Sequence, residues 1–139
     1  MKTLTNGTDL LGRLFLVPLF LIAGFGKIGG YAGTAAYMAA NGVPGLLLPL
    51  VIVLEIGGGI LVLLGWHTRI VSLLLAGFTI LALLLFHMPV TAENQIVVLA
   101  ELGVAGGFLV LAAHGPGAWS LDAWLANRTP AKAVTARAL

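Results

Sequence analysis

The sequence predicts a bundle of α-helices embedded in a membrane, which the chain crosses four times. Composition is the first reason: 60% of the 139 residues are hydrophobic and 9% are charged, and the mean hydropathy is +1.08. Soluble domains contain about 45–50% apolar and about 25% charged residues. A soluble chain of this length would leave much of its apolar surface in water, so we expect a bilayer to cover it.

Four apolar runs are each long enough to cross a bilayer, which takes about 20 residues as an α-helix. They cover residues 10–28, 46–66, 70–88 and 95–113. A helix satisfies its backbone hydrogen bonds within its own segment, as hydrocarbon requires, and the runs lack the alternating pattern of a barrel strand. We expect one transmembrane domain over residues 1–126 and a flexible basic tail over 127–139.

Two shorter segments are expected at the membrane surface. Residues 34–40 follow the first span, next to Tyr31 and Tyr37, and tyrosine favours the headgroup region. Gly115-Pro116-Gly117 ends the fourth span, because these residue types do not continue a helix. The tryptophan-rich segment 121–125 that follows predicts a short amphipathic helix near the carboxyl terminus.

The distribution of basic residues predicts the orientation, because short cytoplasmic loops carry an excess of lysine and arginine. In a four-span arrangement one side holds Lys2, Arg13, Arg69, Arg128, Lys132 and Arg137. Only Lys27 lies on the other side. Both termini are therefore expected in the cytoplasm, in a multi-pass protein of the cell (inner) membrane.

Several kinds of chemistry are excluded by composition. The chain has no cysteine, which removes disulfides, thiolate nucleophiles, iron–sulfur clusters and thiolate-bound zinc. The net charge is only +2, so the scattered basic residues record topology, and no nucleic-acid partner is expected. The histidines are expected to be hydrogen-bonded rather than metal ligands.

Ionisable residues within the spans are the candidates for function, because each costs about 2.5–3.5 kcal/mol at the centre of a bilayer. Arg13 lies near the end of the first span, where its side chain can reach the interface. We interpret Arg13, together with Arg69, as a topology anchor. Glu55 lies close to the middle of the second span and is the strongest candidate for a functional residue.

Three further ionisable residues are expected in the same half of the membrane as Glu55. At 1.5 Å per residue, Lys27, His87 and Glu101 all fall in the half opposite the termini, and each belongs to a different span. Lys27 can neutralise one carboxylate, and the other can carry a proton. The group is either a functional polar site or an ion pair that only fastens the bundle.

Two pairs of glycines are expected at helix contacts. Gly58 and Gly59 lie three and four residues after Glu55, on the face where a neighbouring helix can approach closely. Gly103 and Gly107 form a G-x-x-x-G pair on a different face from Glu101. Either Glu101 or this glycine pair is therefore expected to face the bundle, and the other to face a partner protein or a cavity.

Several short motifs occur in one order around the four spans. After the arginine in the first span come Gly24-Phe25-Gly26-Lys27-Ile28, Gly42-Val43-Pro44, Glu55-Ile56-Gly57-Gly58, Gly65-Trp66-His67-Thr68-Arg69, Gly115-Pro116-Gly117 and Ser120-Leu121-Asp122. In this order the motifs resemble those of the DoxX family of small four-helix membrane proteins. The resemblance extends from about Leu11 to Asp122.

The resemblance implies a link to redox chemistry. DoxX proteins are membrane subunits associated with oxidoreductases; the founding type belongs to a thiosulfate:quinone oxidoreductase, and others accompany redox-protective complexes. Arg13, Lys27, Glu55 and Arg69 match charged positions of the family. The resemblance itself assigns no catalytic residue.

Three functions remain open at this point. The first is a quinone-interacting subunit of a membrane oxidoreductase, in which the polar group binds the quinone carbonyls and exchanges protons. No intrinsic cofactor is expected, so electrons would come from a partner. The second is a non-catalytic accessory or assembly subunit of a larger membrane complex, or a homo-oligomer. The third is a small proton-coupled transporter using Glu55, which four spans would support only as an oligomer.

Overall fold

The computed structural model describes residues 1–128, and every regular element in that part of the chain is helical. The helices are α1 (Lys2–Gly29), α2 (Tyr31–Ala40), α3 (Leu48–Leu64), α4 (Thr68–Phe86), α5 (Gln95–His114) and α6 (Leu121–Arg128), with a 3₁₀ turn, Gly45–Leu47, before α3. Four of them, α1, α3 with its 3₁₀ turn, α4 and α5, are long and apolar enough to cross a membrane. This confirms the four-helix membrane bundle. Residues 127 and 128 belong to α6, and the rest of the predicted tail lies outside the described residues.

The first helix begins earlier than the prediction of residues 10–28. It starts at Lys2 and has 28 residues, which gives a length of about 42 Å, longer than the roughly 30 Å hydrocarbon core. The hydropathy of the sequence identifies only the part of this helix that lies inside the hydrocarbon core. The polar first turns remain helical, with the hydroxyls of Thr5 and Thr8 donating to carbonyls four residues earlier.

The two surface segments are both helices and both longer than predicted. α2 starts at Tyr31, only one residue after α1 ends. The carboxyl-terminal helix runs on to Arg128, whose guanidinium lies 3.9 Å from the ring centre of Trp124. The turn between α3 and α4 covers residues 65–67 rather than the predicted 67–69, because Gly65 follows the last residue of α3 with a φ of +70° and stops the helix.

The bundle consists of two closely packed helix pairs. α1 packs along α3, and α4 packs along α5, whereas the contact between the pairs is less extensive. Phe20 of α1 meets Phe108 of α5 edge to face, with 5.2 Å between ring centres. The apolar core that joins the pairs consists of Val17, Phe20, Val62, Val71, Leu75, Ala76 and Phe108. We call the end where α3 turns into α4 the hairpin end, and the opposite end the α2 end.

Three of the four predicted packing glycines lie at close helix contacts. A Cβ on Gly58 would lie 3.1 Å from Leu75 of α4, and a Cβ on Gly59 would lie 3.0 Å from Leu21 of α1. Gly107 similarly faces Leu16 of α1 at 3.0 Å.

Gly103 differs from these three glycines, because a Cβ there would meet nothing within 4 Å. Gly103 therefore makes no helix contact within the described residues, and its role in packing stays a prediction. Gly103 lies one turn before Gly107 on α5, but no neighbouring helix comes within 4 Å of its Cβ position. The choice between Glu101 and the glycine pair is not exclusive, since Glu101 and Gly107 each face a neighbouring helix.

We expect Gly58→Leu to destabilise the bundle by about 1–3 kcal/mol, the usual cost of forcing extra volume into a packed contact. Leucine at this position must displace Leu75, which lies in the core. Thermal unfolding in detergent measures the loss. Gly103→Leu is the matched control, and equal melting temperatures for the two variants would contradict close packing at Gly58.

Candidate functional site

Lys27 and Glu55 form an ion pair between α1 and α3. Lys27 lies in the last turn of α1, and its Nζ donates to both carboxylate oxygens of Glu55 at 2.8 Å. Glu55 lies about 10 Å along α3. Its side chain is only 5% exposed, against 25% for that of Lys27. An isolated charge at that depth would be costly, so the pairing explains how the bundle accommodates Glu55.

His87 and Glu101 form a second polar pair between α4 and α5. His87 is the residue that ends α4, and its Nδ1 lies 3.0 Å from Oε2 of Glu101. Asn94 fixes the intervening loop, because its side-chain amide donates to the carbonyls of His87 and Pro89. The carboxylate orients the imidazole ring. Among residues 1–128 no partner is recorded for Nε2 of His87.

One cavity brings the two polar pairs together. It has a volume of about 740 Å³, and Lys27, Glu55, His87 and Glu101 all line it. Each tightly packed helix pair thus contributes one side-chain nitrogen, of Lys27 or His87, and one carboxyl group to the same space. The remaining lining is almost entirely aliphatic and aromatic. Concave apolar sites with a few convergent polar groups are the usual form of a small-molecule site.

The helix α2 covers one side of the cavity. Thr34, Tyr37 and Met38 line it from this helix. The ring of Tyr37 stacks on Phe86 of α4, with 5.4 Å between ring centres. On the far side, toward the hairpin end, Phe20 of the apolar core lines the cavity. The polar site is therefore confined to the α2 half of the bundle.

Arg13 is buried, which corrects its interpretation as an anchor that reaches the interface. Only 1% of this residue is exposed. Nη1 donates to the carbonyl of Leu63 at 2.9 Å, and Nη2 donates to the carbonyl of Trp119. Arg13 therefore joins α1 to the end of α3 and to the segment before α6. Its role in this structure is to hold the hairpin end together.

Arg69 lies on the surface at the same end, as an anchor would. Its guanidinium donates weakly to the carbonyl of His114, at 3.4 Å, and Arg69 packs beside Gly115. This contact connects the start of α4 with the end of α5. Arg13 is therefore buried, whereas Arg69 is exposed.

Asp122 caps the start of α4 from a distant part of the chain. Its two carboxylate oxygens accept hydrogen bonds from the backbone N–H groups of His67 and Thr68, at 2.9 and 3.0 Å. Its own N–H donates to the carbonyl of Gly65. Burial opposes ionisation, but the hydrogen bonds from the backbone of Thr68 and His67 outweigh it and hold the pKa of Asp122 below its ordinary value.

We expect Asp122→Asn to cost about 1 kcal/mol at neutral pH, because the neutral amide has one acceptor oxygen and loses one of the two hydrogen bonds. Because the pKa of Asp122 is lower in the folded state, its ionised form stabilises the fold above the ordinary aspartate pKa of 3.8. That contribution disappears as the pH falls through the folded pKa. The difference in melting temperature between parent and variant should therefore narrow below about pH 4. A constant difference down to strongly acidic pH would contradict an ionised cap.

The contacts of Arg13 and Asp122 at the hairpin end could not be predicted from the sequence, because their partners are backbone groups. The carbonyl of Trp119 lies 106 residues from Arg13 in the sequence, and no side-chain pattern reveals it. One signal was available: the hairpin motif and the Ser120-Leu121-Asp122 motif both contain residues typical of helix ends. In the structure Ser120 caps α6, with its Oγ accepting from the N–H of Ala123.

Comparison with known proteins gives consistent matches. The sequence profile of the DoxX family matches residues 8–88. The "Inner membrane protein YqjF" of Escherichia coli (strain K12) is 50% identical over 123 residues, which cover 88% of this chain and 95% of that protein. The "Inner membrane protein YphA" of the same strain is 36% identical over 121 residues, 81% of this chain and 86% of that protein. No solved structure matches the chain.

A more partial relative has a name that refers to redox chemistry. The "Putative oxidoreductase CatD" of Bacillus subtilis (strain 168) is 35% identical over 75 residues, 54% of this chain and 55% of that protein. The two inner-membrane relatives and the four apolar helices make this chain a multi-pass protein of the inner membrane. The profile covers more than half of the chain, and the four-span architecture agrees with it. The chain belongs to the DoxX family.

Proposed function

We propose that the protein is a membrane subunit of a redox system and binds a quinone in the cavity at the α2 end. The observation that carries this proposal is the cavity itself: two polar pairs, Lys27–Glu55 and His87–Glu101, meet within an otherwise apolar space of about 740 Å³. A quinone is a largely apolar molecule with two carbonyl oxygens as its polar groups. Its chemistry fits such a lining.

The side-chain nitrogens of Lys27 and His87 have hydrogen-bonding capacity left for a ligand. A lysine ammonium carries three N–H donors, and the contacts of Lys27 with Glu55 use two of them. The third is available to a carbonyl oxygen. His87 keeps Nε2 for the ligand while Glu101 holds Nδ1. In this proposal each carboxylate positions its cationic partner, and each partner contacts one side of the quinone.

The same groups account for the protons of quinone reduction. Conversion of a quinone to a quinol takes two electrons and two protons, one on each oxygen. The electrons come from a reduced partner protein, and the protons from the imidazolium of His87 and the ammonium of Lys27. Glu101 and Glu55 stabilise the charged donors beforehand, and His87 and Lys27 are afterwards reprotonated from the α2 end. Oxidation of a quinol runs through the same transfers in reverse.

Quinone copurification tests the proposal. We expect the protein extracted with mild detergent to retain a lipid-soluble quinone, measured by chromatography of an organic extract. His87→Leu combined with Glu101→Leu removes one polar pair without leaving a single charge, and should release most of it. Arg69→Met is the control, because it removes a surface cation far from the cavity. Equal quinone content in the parent and the double variant would reject the site.

We also propose that both termini face the cytoplasm, because the basic residues of the short connections gather at the hairpin end. Reporters fused after Leu139 or inserted beside His67 should report a cytoplasmic location. Reporters near Thr34 and Thr91 should report the opposite side. A periplasmic signal from the carboxyl-terminal fusion would invert the arrangement and place the quinone site on the cytoplasmic side.

A further inference from the structure

Three buried polar atoms at the hairpin end have no hydrogen-bond partner among the described residues. They are Nε of Arg13 and the hydroxyl oxygens of Thr68 and Ser72. Arg13 is 1% exposed, and the two hydroxyl residues are 0% exposed. Buried polar atoms are nearly always hydrogen-bonded, either to protein or to ordered water, because an unbonded one loses its hydration without compensation. Three such atoms at one end of the bundle therefore call for a common partner.

The two hydroxyl groups lie one turn apart on α4. Thr68 is the first residue of this helix, and Ser72 lies four residues later, so both side chains lie on the same face. One turn of an α-helix rises about 5.4 Å. Two hydrogen bonds of about 2.8 Å that share one oxygen atom span a similar distance. A single water molecule can therefore bridge the two hydroxyl groups.

The guanidinium of Arg13 borders the start of α4. A Cβ on Gly65 would lie 2.7 Å from Nη1 of Arg13, so the guanidinium lies against the turn between α3 and α4. Asp122 connects this turn to α4, because it donates to the carbonyl of Gly65 and accepts from the N–H of Thr68. Its carboxylate also attracts the guanidinium electrostatically. Arg13 and Thr68 are therefore both neighbours of Asp122.

Groups nearby do not supply the missing hydrogen bonds. The hydroxyl of Thr68 lies near the carboxylate of Asp122, but without the geometry of a hydrogen bond. A second hydroxyl farther along α4 behaves differently from that of Ser72: Thr79 donates to the carbonyl of Leu75, four residues earlier, at 2.8 Å. Within residues 1–128 the hydroxyl of Ser72 has no such bond, so it is available to another partner.

We propose that one buried water molecule binds at this junction, where it accepts from Nε of Arg13 and donates to the hydroxyl oxygens of Thr68 and Ser72. We call these three groups the water site. Three hydrogen bonds are the usual number for a buried water. An anion is disfavoured, because the carboxylates of Asp9 and Asp122 both act on the same guanidinium. The water site lies at the opposite end of the bundle from the cavity, so it does not depend on the proposed function.

The water extends the contacts of Arg13 to α4. The guanidinium itself donates to α3 at Leu63 and to the segment before α6 at Trp119. A water on Nε joins it to Thr68 and Ser72 as well, and so connects α1, α3, α4 and the segment before α6. It also gives Arg13 a third hydrogen-bond partner, which matters because a buried charge within a span is costly unless it is bonded.

Water-edited solid-state NMR of the full chain in lipid bilayers tests the proposal directly, because polarisation passes from water to nearby protein nuclei. We expect transfer to Ser72 at short mixing times, although this residue is 0% exposed. Ala76 is the matched control, one turn farther along the same buried face and within the apolar core, and it should receive none. No transfer to Ser72, or equal transfer to both residues, would overturn the water site.

Removing the hydroxyl groups gives a second test, because the sign of the effect depends on the water. Ser72→Ala and Thr68→Val should each lower the melting temperature in detergent by about 4 °C, the shift that one hydrogen bond makes in a chain of this size. Without the water, each change would remove an unbonded buried hydroxyl and raise the melting temperature. A higher melting temperature for Ser72→Ala would therefore reject the water site.

The double variant shows whether the two hydroxyl groups share one water. Ser72→Ala with Thr68→Val should lose less than the sum of the single losses, because the first change already weakens the water that the second hydroxyl contacts. Ser72→Ala with Thr79→Val is the control, since the hydroxyl of Thr79 bonds within its own helix, and its losses should add. Fully additive losses for Ser72 and Thr68 would contradict a shared water.

Discussion

Arg13→Met is expected to unfold the protein at a markedly lower temperature than any surface substitution. The change removes the guanidinium that donates to the carbonyls of Leu63 and Trp119, and both carbonyls then lack a partner. Hydrogen bonds to a charged group contribute about 1.5–3 kcal/mol each, so the expected loss is roughly 3–5 kcal/mol, as for other broken buried charge contacts. Thermal unfolding in detergent, followed by circular dichroism, measures it.

Two further variants distinguish the contribution of the guanidinium geometry from that of the positive charge alone. Arg13→Lys keeps the charge, but a single ammonium nitrogen cannot reproduce the fixed fork of arginine. We expect it to recover only part of the stability. Arg69→Met removes the exposed guanidinium that contacts His114 at 3.4 Å, and should cost little. If Arg13→Met melted at the same temperature as Arg69→Met, the clamp at the hairpin end would have no stabilising role.

The four spans could be predicted from the sequence because hydropathy reflects a requirement on each segment separately. Lys27, Glu55, His87 and Glu101 could be placed in one half of the bundle by counting residues along each span. Their pairing could not be predicted in this way. It depends on which helices are neighbours, and the close α1–α3 and α4–α5 contacts appear only in the folded bundle.

Arg13 shows where reasoning from one segment fails. An arginine close to a span end can extend to the interface, and the residues of α1 alone give no reason against it. Its partners are backbone carbonyls from the end of α3 and from the segment before α6. Backbone acceptors occur at every residue and carry no sequence signal. Gly103 shows a related limit, because a glycine spacing identifies a helix face but not what lies against it.

Removing Lys27 and removing Glu55 are expected to lower the stability of the bundle by different amounts. Lys27→Met leaves Glu55 without its cation at 5% exposure, whereas Glu55→Leu leaves a lysine that is 25% exposed and whose long side chain can turn toward the interface. Lys27→Met should therefore cost more stability, up to about 3–5 kcal/mol. Melting temperatures of the two variants in detergent measure the asymmetry.

The double variant Lys27→Met with Glu55→Leu tests whether the ion pair only stabilises the bundle or also binds the quinone. Replacing a buried ion pair by apolar groups of similar size is often neutral, so the double variant should regain most of the stability lost by Lys27→Met. It should nevertheless lose most of its bound quinone, because no ammonium remains to donate to the ring. Stability restored together with quinone content would mean that the pair only fastens α1 to α3.

Glu55→Gln tests directly whether Glu55 takes part in proton exchange. The amide is nearly the same size as the carboxyl group and still accepts a hydrogen bond from Lys27, so the bundle should fold with modest loss of stability. It cannot hold the ammonium as a counter-ion or return a proton to it. We therefore expect Glu55→Gln to retain bound quinone but to lose most of the electron transfer that depends on proton exchange, measured as quinone reduction in native membranes. Full reduction activity in this variant would remove Glu55 from the proton path.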